Sequence, residues 1–318
     1  MRTNDNTDLL PTTSFAGPAL KFDFPAFRIG VAEYAEGPTG CTVFHFPQGA
    51  TTAIDIRGGT VGAIGNHGWN HAICLAGGSF YGLEAATGVA AEIFAMSGYA
   101  TGFQEIARVS GAVIYDYPPR DNVIYPDKRL GREAIRSARA GWFPLGARGA
   151  GCSATVGKGL RLDRAESSGQ GGAFREVGPT KIAAFSVVSA IGAVVDREGK
   201  VVRGHRDPKT GVRTHLITDV EEKVLRSEPS SAPRGNTTLT VVVTNQKFEP
   251  SSLNQIAKQV HGSMARAIHP FHTIYDGDVL YLVTTDEVEN RLLNPIAFGV
   301  VTAEAIWDAV LSAVKVGS

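Results

Sequence analysis

Two short segments hold residue types that can do covalent chemistry. In Arg234-Gly235-Asn236-Thr237-Thr238 a threonine hydroxyl follows a flexible Gly-Asn pair and precedes a run of strand formers. Such a hydroxyl can attack the carbonyl before it, an N-to-O acyl shift. Hydrolysis of the ester then leaves threonine with a free α-amine, which can act as general base for its own hydroxyl. Taken alone, the same residues read by default as a turn leading into a strand. Asn236-Thr237-Thr238 is also a formal glycosylation sequon, void without secretion. Asp276-Gly277-Asp278 places carboxylates 39 and 41 residues after Thr237. Two carboxylates flanking a glycine can orient a nucleophile or tune its amine; viewed alone, an ordinary Asp-Gly turn is the stronger reading.

Other candidates fail on pattern. Gly157-Lys158 resembles the end of a phosphate-binding loop, but Cys152 stands where that loop needs glycine. Gly159 replaces its magnesium-binding Ser/Thr, so no nucleotide site is expected. Ser79 lacks the glycine two residues on that a nucleophile elbow requires, since Tyr81 is there. His67 and His71 lie among glycines, a poor helix for a metal pair, and His269 and His272 read as structural. Cys41, Cys74 and Cys152 are an odd set without metal-type spacing. Neither disulfides, a metal nor a cofactor is expected, and a reducing cytoplasm fits best.

The elements that must position these residues come in blocks. Strands are expected at Cys41 to Phe46, Thr51 to Ile56 and Ala112 to Tyr115, with an Ala/Gly-rich helix from Phe80 to Met96 that must be buried. Asp127 to Ala140 is helix-friendly. Lys181 to Val195 is an apolar run of one or two buried strands, and Glu221 to Ala232 reads as a polar, exposed connection. Thr238 to Thr244 is the strongest strand, Leu253 to Ile268 an amphipathic helix, Asp278 to Thr284 a strand and Thr302 to Val314 a closing helix. Such blocks favour a layered α+β protein over βαβ alternation.

Composition narrows the function classes. The 318 residues include 31 Lys plus Arg and 31 Asp plus Glu, so no basic surplus exists to grip nucleic acid or an anionic membrane. Glycine, at 37, points to many tight turns and close backbone approaches. No apolar run is expected to span a bilayer, and the polar start from Met1 to Thr13 lacks a signal-peptide core.

Taken together, the segments are similar to one family. NHAICLAGGSFYGLEAATGV (Asn70 to Val89), VIYD (Val113 to Asp116), YPDK (Tyr125 to Lys128), GNTT (Gly235 to Thr238), AKQVHGSMARAIHPFHT (Ala257 to Thr273), DGD and VTTDE (Val283 to Glu287) recur in the same order. On these stretches the chain resembles the nylon-oligomer hydrolases, the 6-aminohexanoate-oligomer endohydrolases, from Phe22 to Leu311. That group lies within the L-aminopeptidase/D-esterase family of self-cleaving N-terminal-nucleophile enzymes.

The resemblance implies a four-layer αββα sandwich and cleavage between Asn236 and Thr237, giving subunits 1–236 and 237–318 of a single domain behind a flexible tail, 1–20. It implies Thr237 as nucleophile, Asp278 and Asp276 as a supporting relay, Tyr115 as hydrogen-bond or proton donor, and Lys158 as a cation keeping the threonine amine neutral. Tetramers of processed heterodimers are expected. One position departs: the family's Asn-Ala-x-Gly run, whose asparagine helps form the oxyanion hole, is Ser189-Ala190-Ile191-Gly192 here. A serine hydroxyl is a shorter, single donor, and losing one such donor costs on the order of 10²–10³ in rate. Amide hydrolysis of aminohexanoate oligomers is the leading expectation. A β- or L-aminopeptidase and a weakly active or unprocessed binding protein are the alternatives.

Overall fold

Alternation of side chains along the strands sorts the apolar residues into three cores, and these define four layers. In the computed structural model, which describes residues 1–228 and 235–315, the main elements are as follows. The first half holds β1 (Arg28–Tyr34), β2 (Thr39–Ile56), β3 (Trp69–Ala76), α1 (Glu84–Met96), β4 (Val109–Val113) and α2 (Lys128–Arg136). The second holds β5 (Gln170–Val177), β6 (Thr180–Ser189), α3 (Leu216–Leu225), β7 (Thr237–Gln246), α4 (Pro250–Ser263), β8 (Val279–Val288) and α5 (Pro295–Lys315). The main sheet runs β5-β6-β7-β8-β2-β3-β4, with β1 also paired to β2. The pairs β7–β8 and β3–β4 are parallel.

β2 folds this sheet over on itself. It is 18 residues long; its first half pairs with β1 and β3, and Thr51–Ile56 pairs with β8. Between the halves the register with β3 slips and Gly49 takes a φ of 70°, so the strand bends from one layer into the other.

Each strand then presents alternate residues to two cores. Ala184, Val242, Leu280 and Leu282 pack with Ile256 and Val260 of α4 and Ile306 and Val310 of α5. The intervening Phe185, Val241, Val243 and Tyr281 face inward against Ile29, Val31, Phe44 and Leu75 of the other layer. That layer's outer face, including Ala32, Val43 and Cys74, packs under Val89 of α1 and Leu130 and Ile135 of α2. The outcome is the expected α+β sandwich, αββα in order.

Local expectations needed correction. The two strands expected at Cys41 to Phe46 and Thr51 to Ile56 are the arms of β2, because Pro47-Gln48-Gly49 bends the strand without ending it. The Lys181 to Val195 run needed none: it forms two buried strands parted at Ala190–Gly192, the second, Ala193–Val195, in a hairpin with Val201–Arg203. Glu221 to Ala232 is not simply a connection, since it begins inside α3, whose Asp219 is ion-paired to Arg164. The rest of that connection, and Arg234, lie outside the described residues. Residues 1–20, expected as a flexible tail, run along the body. Leu9 is buried, Asn4 bonds to the Tyr125 main chain through both its amide atoms, and Pro11–Thr12 pairs with β1. The helix expected from Thr302 begins at Pro295 and, at 21 residues, is long and apolar enough to cross a membrane by length and composition. Half of its most apolar window is buried in the protein.

The inter-sheet core carries this architecture. Phe185 meets Phe22, Phe27, Phe44 and Phe143 at ring-centroid distances of 4.8 to 6.1 Å. Phe185→Ala should therefore cost about 3–5 kcal/mol. Phe103→Ala, at a ring 76% exposed, should stay within about 0.5 kcal/mol. Denaturant melts of both variants check this, and equal losses would refute it.

Candidate active site

The start of β7 is where the chemistry-bearing residues converge. Antiparallel pairing sets Ser189, the last residue of β6, opposite Thr237. Parallel pairing aligns Leu239 with Val279 and continues backwards as a bridge between Asn236 and Asp276. Asp276-Gly277-Asp278 is thus drawn beside Asn236-Thr237 by the register of two neighbouring strands.

The Asn236 carbonyl is held by two donors. Thr237 Oγ1 donates to the Asn236 carbonyl oxygen at 2.5 Å, and the Gly277 N–H donates to the same oxygen at 2.7 Å. Only glycine fits at 277: a Cβ there would lie 2.7 Å from Thr237 Oγ1 and 2.4 Å from the Thr60 carbonyl. Upstream, Gly235 has a φ of 82°, which favours glycine. Its main chain lies against Tyr115, just beyond β4, so closely that a Cβ would sit 2.5 Å from the ring.

Both carboxylates are fully buried, which an exposed Asp-Gly turn would not be. Asp276 accepts the Thr273 N–H at 2.8 Å and the Ile191 N–H at 3.4 Å. Asp278 accepts the Thr238 N–H at 2.7 Å and the His272 N–H at 3.2 Å, and meets His272 Nδ1 at 3.0 Å. Burial, and then the neighbouring Asp278, push the Asp276 carboxyl above the usual carboxylate range.

Lys158 reaches the same point from a loop clamped beyond β6. The Gly157 N–H donates to Gly192 O at 2.8 Å and the Gly159 N–H to Ile191 O at 3.0 Å, which fixes the residue between them. Its Nζ donates to the Ser189 carbonyl at 3.0 Å and to Ser189 Oγ at 3.2 Å. Lys158 is 3% exposed. Burial lowers its ammonium to about 7, against the opposing pull of Asp276. Burial thus moves the side chain expected as a cation toward its neutral form.

The seven residues singled out from sequence fall into one neighbourhood. Asn236, Thr237, Ser189, Asp276 and Asp278 meet at the strand ends, Lys158 touches Ser189, and Tyr115 touches Gly235. Two participants were not anticipated. The Gly277 amide is a backbone donor that residue type does not advertise. His272, read as structural, turns onto Asp278 through a left-handed φ of 59°. His71, by contrast, is engaged elsewhere, its Nδ1 accepting the Arg108 N–H at 3.0 Å.

The profile of peptidase family S58 matches residues 22–318. A 6-aminohexanoate-oligomer endohydrolase of Agromyces sp. is 50% identical over 322 aligned residues, covering 98% of this chain and 90% of the relative. The enzyme of that name from Paenarthrobacter ureafaciens shows the same 50% identity and the same coverage, 98% and 90%. The solved L-aminopeptidase D-Ala-esterase/amidase of Ochrobactrum anthropi, described as a variant among the Ntn-hydrolase fold, superposes with a TM-score of 0.64. It covers 95% of this chain and 88% of that chain at 14% identity, a likeness of fold alone. With the profile matched from Phe22 onward and relatives half identical along nearly their whole length, this chain belongs to peptidase family S58.

Proposed function

We propose that this protein is an amide hydrolase that cuts its own Asn236–Thr237 bond and then uses Thr237 as an N-terminal nucleophile. Its substrates are linear amides of the 6-aminohexanoate-oligomer kind, on which relatives at 50% identity are named to act. The observation that carries this reading is the Thr237 hydroxyl held at the carbonyl of Asn236, whose oxygen already accepts the Gly277 amide.

In processing, Thr237 Oγ1 bonds to the Asn236 carbonyl carbon as that carbon's bond to the Thr237 nitrogen breaks. The hydroxyl proton ends on the departing nitrogen. Water then adds to the ester, the C–O bond breaks, Thr237 regains its hydroxyl and Asn236 leaves as a carboxylic acid that ionises. Before this cut the Thr237 nitrogen is an amide and cannot act as base, so the first turnover needs another one. Neutral Lys158 fits, being buried, directed at Ser189 opposite Thr237, and titrating near neutrality. Afterwards the freed α-amine takes over, with Asp276 and Asp278 anchoring the loop that faces it. The Gly277 N–H takes the oxyanion role that the family assigns to the asparagine replaced by Ser189, whose own oxygens accept from Lys158. Tyr115 stands beside the acyl segment. The expected tetramer of processed pairs belongs to this reading too. So does a reducing cytoplasm, supported by three free cysteines.

A denaturing gel with intact mass tests processing. Wild type should yield a fragment starting at Thr237, and Thr237→Ala should stay one chain; a fragment starting elsewhere would overturn the assignment. A blocked aminohexanoate oligomer tests the substrate, because an enzyme that needs a free amino end cannot open it.

The buried lysine sets a pH dependence. Raising pH through about 7 increases the neutral amine, so processing should slow about tenfold per unit below that point and level off about a unit above it. Lys158→Met should slow processing by at least ~10²-fold about a unit above that point, with the deficit shrinking as pH falls and the wild-type lysine protonates. A pH-independent wild-type rate would remove Lys158 from the role of base.

Ser189→Ala should cost less than about tenfold in processing rate, because the Gly277 amide and the Ser189 carbonyl both survive the change. Time courses of band conversion measure this. A loss on the order of 10²–10³ would make the serine hydroxyl itself the oxyanion donor.

A further inference from the structure

Beside Tyr115 an open cavity of about 740 Å³ is walled by Tyr81, Tyr117, Tyr125 and Val123. The rings pair off, Tyr81 with Tyr125 at 5.9 Å and Tyr115 with Tyr117 at 5.7 Å between centroids. Met1, Arg120 and Asp121 also border it, Asp121 ion-paired to Arg2 at 2.8 Å. Arg120 is ion-paired to Asp116 at 2.7 Å and stacked 4.5 Å from the Tyr117 ring, so its charge is already matched. The cleft is aromatic and near neutral, suited to methylenes and uncharged amides rather than to a carboxylate.

The intact chain shows what lies between this cleft and the nucleophile. Processing and substrate hydrolysis pass through the same kind of ester on Thr237 Oγ1, and in processing its acyl group is Gly235-Asn236. A substrate's acyl chain inherits that track. Counting the Asn236 carbonyl carbon as first, the fifth main-chain atom back is the Gly235 Cα, where a branch would lie 2.5 Å from the Tyr115 ring.

We infer that the tyrosine-walled cleft is the acyl-chain subsite, taking an unbranched ω-amino acyl chain that passes Tyr115 where Gly235 lies in the precursor. This rests on the hydrolase reading above. It adds a selectivity that reading does not contain: the acyl residue must be unbranched near its fifth atom, and affinity for longer oligomers comes from the tyrosines beyond. Tyr81 is the clean probe, since it is 68% exposed and its ring pairs with Tyr125.

The test uses purified processed enzyme, the linear 6-aminohexanoate trimer and an analogue with a methyl branch on the fifth carbon of the acyl residue. Wild type should prefer the linear trimer by about tenfold or more in kcat/KM. Tyr81→Ala should raise KM for the linear trimer about fivefold with little change in kcat, and Tyr81→Phe, which keeps the ring, should match wild type. Band conversion at the wild-type rate in both variants separates a binding effect from a folding one. Wild-type turnover with equal use of the branched analogue, or an unchanged KM in Tyr81→Ala, would overturn the subsite and leave the hydrolase reading standing. A processed wild type that opens neither trimer would overturn both.

Discussion

The parallel pairing of β7 with β8 is the constraint on which the site depends. Parallel neighbours begin at the same end of a sheet, so a threonine at the start of one strand and a carboxylate pair before the next become neighbours through backbone hydrogen bonds alone. Antiparallel β6 finishes at that same end and delivers Ser189 and, through it, Lys158. A register slip of one residue would turn Thr237 to the other face and separate its hydroxyl from the Gly277 amide. The three cores hold that register, since each strand residue is already committed to one side.

Burial sets the electrostatics of what the register assembles. Lys158 and Asp276 are both held away from water, and both move toward their neutral forms, the lysine downward and the carboxyl upward. Asp276 in turn draws Lys158 back toward its charged form. Backbone amides and His272 meet the oxygens of Asp278.

Legibility followed the range of the interaction. Thr238 to Thr244 was readable because β-branched residues cluster there, and the buried helix α1 because its small residues had no exposed role. Gly235-Asn236-Thr237 offered a hydroxyl after a flexible pair, yet taken alone it read as a turn into a strand, and only the resemblance singled it out. The Asp276-Gly277-Asp278 segment read as a turn when isolated; only a register set by distant residues makes it part of a buried centre. His272 escaped because a left-handed backbone aims its ring, and the Gly277 donor because every residue but proline carries one. α3 was missed because a largely exposed helix has little periodicity to show, and β2 was split because Pro47 and Gly49 look like a stop.

If the Asn236–Thr237 bond is cut as proposed, the central position of β7 changes what kind of object the protein becomes. The new chain end would lie inside a sheet, bonded on both flanks, so dilution would give the two pieces no reason to part. Refolding would be another matter. A chain that first folded as one molecule would have to find its complement as two, and its recovery would depend on concentration where its first folding did not. A form cut in this way would be preserved by the height of its unfolding barrier rather than by reversible equilibrium, each molecule having one opportunity to assemble.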